Sequence, residues 1–327
     1  MTERATILGA GVAGLCVASE LAARGVAVTL VDPAEVPGPQ ACSWWAGGML
    51  APFCEAETAE EPVTRLGGEA AGWWAAHGVT PEHGGSLVVT LGRDRAELSR
   101  FARRTEGHET LDRDGIRALE PDLADQFDRA LHFAAEAHIT PRAALATLRE
   151  RLEAGGARFV SEPAEDDASV IDCRGFAARD TLSDLRGVRG EMVMLETREI
   201  ALGRPVRLLH PRFPLYIVPR GDGVFMLGAT QIESAERGPA RVRSLVELLN
   251  AAYALHPAFA EAALLEVGAD ARPAFPDNLP RIRRRGGRIF VNGLFRHGFL
   301  LAPALARMTA ELLLEGKTPE VMDEDSD

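Results

Sequence analysis

The stretch ATILGAGVAGLCVASELAARGVAVTLVD, residues 5–32, decides the fold of this chain. Residues 5–8 and 26–31 are apolar runs that predict two strands, and residues 15–24 between them predict a helix. A glycine-rich turn joins the first strand to the helix, and Asp32 ends the second strand. This order predicts a βαβ unit in a parallel sheet.

The turn has the spacing GxGxxG at Gly9, Gly11 and Gly14. Gly9 permits the tight turn, Gly11 lets the backbone approach a pyrophosphate, and Gly14 lets the helix pack closely on the strand. The helix N-terminus can bind phosphate, and Asp32 can accept hydrogen bonds from ribose hydroxyls. Outside such a unit GxGxxG would indicate only a glycine turn; here it predicts dinucleotide binding. The expected contacts are Gly9, Gly11, Val12, Ala13, Gly14, Asp32 and Pro33.

Length and charge narrow the class of protein. A chain of 327 residues can bury a large core, and about two domains are expected. The net charge of −12 disfavours nonspecific binding to nucleic acid or to an anionic membrane. Residues 1–4 do not resemble a signal peptide, and Pro303, Arg307 and Glu311 interrupt the apolar stretch 299–314. We therefore expect a cytoplasmic protein with no membrane span.

The cysteines and histidines do not indicate a metal centre. Cys16, Cys42, Cys54 and Cys173 show no CxxC spacing, which argues against a zinc site, a redox-active dithiol and a disulfide framework. The histidines show no ligand spacing either, so no bound metal is expected.

Five arginines lie close together at positions 281, 283, 284, 285 and 288, around Gly286 and Gly287. Strand-like segments flank them, which favours a solvated hairpin turn. A polyanion-binding patch is the alternative, and the acidic composition of the chain argues against it.

The rest of the chain predicts a second layer. Helical patterns cover residues 62–76, 93–103, 113–119, 145–153 and 300–314. Strand-like stretches cover residues 86–91, 158–160, 170–172, 191–195, 206–210, 215–219, 224–228 and 288–292. Short turns between several of these strands favour a mixed or antiparallel sheet, unlike the parallel start.

We therefore expect an α/β fold in which a Rossmann-type domain is interleaved with a substrate domain built on a mixed or antiparallel sheet. Residues 1–58, 130–186 and 267–320 are assigned to the nucleotide-binding domain, and residues 59–129 and 187–266 to the substrate domain. Residues 321–327 are assigned to a solvated acidic tail.

Four segments, in order along the chain, resemble the glycine oxidases of thiamine biosynthesis, which belong to the D-amino-acid oxidase superfamily. They are CSWWAGGMLAP at 42–52 with Glu55 after it, YIVPR at 216–220 with GAT at 228–230, ARP at 271–273, and NGLFRHGFLLAP at 292–303. The pattern resembles a short bacterial type of this enzyme. The resemblance implies a D-amino-acid oxidase-like fold and an FAD cofactor.

Two of these segments are implied to contact the flavin. Gly47 and Gly48 permit close approach to a flat ring, and Met49 offers a soft apolar wall. The glycine turn before the last helix would stabilise negative charge on a reduced flavin. Beyond the dinucleotide turn, the implied cofactor contacts are Cys42, Ser43, Gly47, Gly48, Met49, Ala164, Leu294, Phe295, Arg296, His297, Gly298, Phe299 and Leu300.

The resemblance also implies a substrate site. Arg272 would bind the substrate carboxylate, because a guanidinium matches a carboxylate through two parallel hydrogen bonds. Tyr216 could add a hydrogen bond, and Arg296 would reach the substrate side. These three residues are the expected catalytic group, and Met49 and Gln231 complete the expected substrate contacts. Many relatives have methionine where this chain has Gln231.

The implied reaction is oxidation of glycine, and of sarcosine or small D-amino acids, by hydride transfer from Cα to flavin N5. The product would be an imine, which would be used for the thiazole of thiamine. Reoxidation of the flavin by oxygen would give hydrogen peroxide. The chain has one GxGxxG motif, so electrons are expected from an organic substrate rather than from NAD(P)H. The expected partners are a small amino acid and oxygen, without nucleic acid or membrane; a homo-oligomer is left open.

Three alternatives remain. The first is an oxidase or dehydrogenase of D-amino or N-methyl amino acids. Sarcosine-oxidase types often tether flavin through a late cysteine, and since none follows Cys173, non-covalent FAD is expected. The second is a flavin-dependent RNA-modifying enzyme, supported by the arginines at 281–288. The third is a nucleotide-binding protein without chemistry.

Overall fold

The computed structural model describes residues 4–34, 37–163, 169–209 and 215–324. Ala164, the expected adenine contact, lies outside these residues. The helices of the described ranges are α1 (Val12–Ala23), α2 (Pro52–Glu55), α3 (Glu61–Gly67), α4 (Ala70–Ala76), α5 (Arg95–Arg104), α6 (Arg113–Leu119), α7 (Pro141–Ala154), α8 (Val242–Leu255) and α9 (Gly298–Glu315).

The strands form two large sheets and a short hairpin-like pair. They are β1 (Arg4–Leu8), β2 (Ala27–Val31), β3 (Met49–Leu50), β4 (Ser86–Thr90), β5 (Glu109–Asp112), β6 (Arg129–Phe133), β7 (Ala137–His138), β8 (Arg158–Val160), β9 (Ser169–Asp172), β10 (Arg186–Glu196), β11 (Val206–Leu209), β12 (Leu215–Pro219), β13 (Val224–Gly228), β14 (Ile232–Glu233), β15 (Ala263–Ala274), β16 (Arg281–Arg285), β17 (Arg288–Asn292) and β18 (Met322–Glu324).

The first sheet contains the predicted βαβ unit. Its order is β18-β16-β17-β9-β1-β2-β8, and β1 pairs in parallel with both β2 and β9. Helices α1, α7 and α9 belong to its core, in which Ile7, Leu15, Leu30 and Leu301 are fully buried. The strand order places the GxGxxG turn at the carboxyl end of a central strand, where ligands bind in open α/β sheets.

The second sheet is mostly antiparallel. Its order is β14-β10-β13-β12-β11-β4-β6-β5, and the long strand β15 pairs antiparallel with β10 along its whole length. Among the described strands of this second sheet, only β4 and β11 pair in parallel. The chain passes between the sheets several times, since β8 and β9 return to the first sheet before β10 opens the main part of the second. The predicted fold class is confirmed.

The exact domain boundaries stay a prediction. Two of the predicted boundaries can be compared with the positions of the strands. The boundary at residue 267 lies inside β15, and β6 at residues 129–133 pairs within the second sheet. Helix α8 and most of β15 lie where the sequence had indicated no helix or strand. The single helix predicted over 62–76 is two helices, because α3 ends at Gly67 and α4 begins at Ala70.

One expectation about a charged segment was wrong, and another was confirmed in part. Residues 322–324 are not a solvated tail, because they form β18 against β16, and Asp323 accepts a 2.7 Å hydrogen bond from Arg283. The predicted hairpin is present, since β16 and β17 pair antiparallel around Gly286 and Gly287, but most of its arginines lie on β16 rather than in the turn. Arg283 is buried and pairs with Asp184 at 2.8 Å, and Arg281 pairs with Asp277 at 2.6 Å. These pairs neutralise two of the five arginines that supported an RNA substrate.

Candidate active site

A cavity of about 930 Å³ is lined by residues of both large sheets. It brings together nearly all the residues singled out from the sequence. Those on its wall are Gly9, Gly11, Val12, Ala13, Asp32, Pro33, Cys42, Ser43, Gly47, Gly48, Met49, Tyr216, Gln231, Arg272, Leu294, Phe295, Arg296, His297, Gly298, Phe299 and Leu300. Gly14 lies behind the turn and not on this wall.

The GxGxxG turn is shaped for close approach of a phosphate. Gly9 has a φ of +94°, and a β-carbon there would lie 2.7 Å from the carbonyl oxygen of Cys173. A β-carbon at Gly14 would lie 1.9 Å from the carbonyl oxygen of Gly9, so helix α1 can approach the strand only with glycine at that position. Gly11, the N-cap residue of α1, provides no side-chain cap for the first turn. The helix N-terminus therefore fits a pyrophosphate.

Asp32 holds the turn together as well as facing the cavity. Its carboxylate accepts hydrogen bonds from the backbone N–H groups of Ala10 at 2.8 Å and Ala34 at 3.0 Å. The carboxylate thus ties the end of β2 to the glycine turn. Its predicted contact with a ribose stays a prediction.

The loop at residues 42–49 presents backbone to the cavity. Gly48 has a φ of +74°, and a β-carbon there would lie 2.2 Å from the carbonyl oxygen of Ile139. Arg220 donates a 2.7 Å hydrogen bond to the carbonyl oxygen of Gly47 and so fixes the loop. Trp45 lies across Gly268 of β15, where a β-carbon would be 2.0 Å from the indole ring. The loop therefore packs against β15 through Trp45 and lines the cavity with its other residues.

The start of α9 also lines the cavity. The preceding turn is held by a 2.8 Å hydrogen bond from the backbone N–H of Phe295 to the carbonyl oxygen of Pro273. His297 is the N-cap residue and its side chain does not cap the helix. The first N–H groups of this long helix are therefore available to stabilise negative charge in the cavity.

Arg272 lines the cavity without a carboxylate partner among the described residues. Its guanidinium donates to the carbonyl oxygen of Thr230 at 3.1 Å, and no carboxylate of the described residues lies within 4.0 Å of it. Burial lowers the pKa of Arg272 to about 10, and repulsion from Arg296 contributes. A β-carbon at Gly190 of the neighbouring strand would lie 2.1 Å from the guanidinium, so Gly190 leaves the space that Arg272 occupies.

Glu55 is the charged site residue that the sequence reasoning missed. Its carboxylate pairs with Arg296 at 2.6 Å, contacts Nε2 of His297 at 2.9 Å and accepts a 3.1 Å hydrogen bond from Tyr216. Although burial alone would raise it, the pKa of Glu55 lies below its usual range because of Arg296 and His297. Its position three residues after the first resembling segment, 42–52, was the available signal.

This cluster changes the expected roles of two residues. The Tyr216 hydroxyl donates to Glu55, and burial raises its pKa, so the phenol is protonated. Arg296 is paired with Glu55 and also donates to Thr58 at 2.7 Å. Burial lowers the pKa of His297, which leaves the imidazole neutral. Of the arginines predicted to meet the substrate, Arg272 alone has no carboxylate partner among the described residues.

Comparisons with known proteins agree with this geometry. Residues 4–312 match the DAO family of FAD-dependent oxidoreductases. The chain belongs to this family. FAD is accordingly its cofactor, and the uncapped helix N-termini and the glycine turn fit that group.

Relatives within the DAO family span the whole chain. A Rhizobium etli protein with the provisional name thiamine biosynthesis oxidoreductase ThiO is 56% identical over 97% of this chain and 98% of its own. The glycine oxidase of Pseudomonas aeruginosa is 28% identical over 98% of this chain and 96% of its own. The crystal structure of glycine oxidase from Bacillus cereus has the same fold, with a TM-score of 0.81 at 22% identity over 97% of this chain and 96% of that one.

The resemblance to glycine oxidases, the FAD cofactor and the oxidoreductase class are thus confirmed. Within the described residues, no helix is long and apolar enough to cross a membrane. The cavity also contains residues that were not predicted, and these include Glu55, Gly190, Met192, Met226, Arg237 and Asp270.

Proposed function

We propose that this DAO-family enzyme oxidises glycine, with sarcosine and small D-amino acids as lesser substrates, and passes the electrons to oxygen. The single observation that carries the proposal is Arg272. A buried cation without a carboxylate partner is costly, and a carboxylate ligand would offset that cost. Arg272 lines the same cavity as the flavin loop, so a bound carboxylate would lie beside the cofactor.

The chain's residues suggest how an amino acid would be held. Arg272 would bind the carboxylate through paired hydrogen bonds, and Tyr216 remains a second candidate contact on the same wall. Met49, Met192 and Met226 would surround the small substrate with apolar contacts. Gln231 lines the cavity and is exposed, so its amide would face a substrate side chain or solvent.

Bound FAD supplies the acceptor for the two electrons of the substrate Cα–H bond. The protein would act by orientation, because a carboxylate fixed on Arg272 directs that bond, and good orientation can supply about 7–11 kcal/mol. The N–H groups at the start of α9 would stabilise the negative charge that develops at the cofactor edge. In the overall reaction, glycine, oxygen and water would give glyoxylate, ammonia and hydrogen peroxide.

We assign the product imine to thiamine biosynthesis, where it would be consumed in making the thiazole. The support is the name of the Rhizobium etli relative, which is 56% identical to this chain. FAD would be bound without a covalent link. Denaturing the protein should therefore release all the yellow colour, and colour retained on the polypeptide would contradict this part of the proposal.

The test is an anaerobic titration of the purified yellow protein with glycine, sarcosine, D-alanine and D-aspartate. Glycine should bleach the visible absorbance, and admitting air should restore it with formation of hydrogen peroxide. Bleaching by sarcosine or a D-amino acid but not by glycine would favour the alternative amine oxidase. If none of the four bleaches the flavin, the proposed reaction is wrong.

A further inference from the structure

Glu55 and Arg296 form a charge pair on the cavity wall that the proposed reaction does not use. We propose that Glu55 restricts the site to substrates with a single carboxylate, because it occupies the guanidinium that would otherwise bind a second one. This inference rests on the proposed function, in which Arg272 binds the substrate carboxylate.

The pair is close and shielded from water. The shortest distance between the two side chains is 2.6 Å, and their side chains are only 8% (Glu55) and 15% (Arg296) exposed. Both residues line the cavity that contains Arg272. A charge pair in such surroundings is screened little by salt, so Glu55 cancels the positive charge that Arg296 would present to a ligand.

A third arginine of the cavity lining is also paired, since Arg237 contacts Asp270 at 2.6 Å. Of Arg237, Arg272 and Arg296, only Arg272 has no carboxylate partner among the described residues. One substrate carboxylate neutralises it. A second carboxylate would have to lie near Glu55, and like charges brought together in a buried site are unfavourable.

The electrostatic repulsion between Arg272 and Arg296 supports the same interpretation. The two guanidinium groups are close enough to repel one another, so an anion bound to Arg272 lies within the field of Arg296. If Glu55 lost its charge, Arg296 would keep its hydrogen bond to Thr58 and gain an unpaired positive charge. A second carboxylate would then have a partner.

A purely structural role for the pair is the competing explanation, since it ties α2 to the turn before α9. Binding of inert anions separates the two explanations. The holoenzyme is titrated with acetate, which has one carboxylate, and with malonate and succinate, which have two and differ in reach. Dissociation constants are read from the perturbed visible absorbance of the flavin and checked by calorimetry.

Two variants should move the affinities in opposite directions. In Glu55→Gln, malonate or succinate should gain at least about tenfold in affinity relative to acetate, which is the lower range for a hydrogen bond between charged groups. In Arg296→Gln, Glu55 keeps its contacts with Tyr216 and His297 but loses its arginine partner, and the same ratio should fall several-fold. The double variant E55Q/R296Q should return the ratio to near that of the parent.

The matched control is Glu69→Gln. Glu69 pairs with Arg307 at 2.7 Å and does not line the cavity. Its loss should leave the ratio of dianion to acetate affinity unchanged. Flavin content and circular dichroism confirm that each variant is folded.

The outcomes are distinct. Opposite changes in E55Q and R296Q support the inference; an unchanged ratio in either folded variant overturns it. If E55Q does not fold, R296Q still decides. A parent enzyme that binds acetate no better than an Arg272→Met variant does would instead contradict the proposed function.

Discussion

Replacing Arg272 by methionine should weaken substrate binding and stabilise the apoprotein. Methionine keeps the length of the side chain and removes its charge. Loss of one partner of a buried, hydrogen-bonded charge pair costs about 2–5 kcal/mol. At ~1.36 kcal/mol per factor of ten, KM should rise by roughly 30-fold to 5000-fold.

The effect on stability has the opposite sign. Burial lowers the pKa of Arg272 from its usual value to about 10. A shift of this size means that burying the charged guanidinium lowers the free energy of unfolding by about 3 kcal/mol. The methionine variant avoids this penalty but also loses the hydrogen bond to the Thr230 carbonyl oxygen, which offsets about 1–2 kcal/mol of the gain in stability. The unfolding free energy of the apoprotein should therefore rise by about 1–2 kcal/mol.

The assay pairs steady-state kinetics with urea unfolding of the apoprotein. Flavin content, measured from the visible spectrum, should stay at the parent level in Arg272→Met. Arg272→Lys is the matched control: it keeps a charge but loses the paired geometry, and its KM should lie between those of parent and methionine variant. A KM within threefold of the parent, with flavin bound, would refute the assignment of Arg272.

Three further predictions concern the surroundings of this site. Gly190→Ala should displace the Arg272 guanidinium, because the new β-carbon would lie 2.1 Å from it. KM should then rise by about tenfold or more at unchanged flavin content, and normal kinetics would show that the guanidinium is not needed at that position. Since carboxylate binding needs the charged form of Arg272, whose pKa is about 10, kcat/KM should fall about tenfold per pH unit above that value, and a flat profile would contradict this. Burial raises the pKa of Glu136 from 4.5 to about 7, so the native state binds its proton more tightly than the unfolded chain does. Stability should fall by up to ~3 kcal/mol as pH rises through that window, and Glu136→Gln should lose this dependence, as urea midpoints at acid and neutral pH would show.

Short-range patterns predicted much of the fold. Helix α6 and the strands β12, β13 and β17 have the predicted bounds, since their spacing and flanking turns lie in the local sequence. Strand β15 was not predicted from the sequence, because it is formed by pairing with β10, which lies far away in the chain. Its first half also carries exposed leucines, which do not fit the pattern of a half-buried strand. Its strand character comes from that pairing rather than from alternation of its own residues.

By itself, the sequence determined the nucleotide turn. Gly9, Gly11 and Gly14 act within one strand–turn–helix unit, and a β-carbon at Gly14 would collide with a residue only five positions away. Local spacing is therefore enough to specify that part of the site.

Only the tertiary structure decided which arginine is free to bind a substrate. Arg272 and Arg296 are alike as sequence, and both were assigned to the substrate. Glu55 lies far from both along the chain, and folding brings its carboxylate within 2.6 Å of Arg296 and leaves Arg272 without a carboxylate partner among the described residues. A charge in a buried cavity takes its chemistry from its partners, and those partners are set by packing rather than by neighbours in the chain.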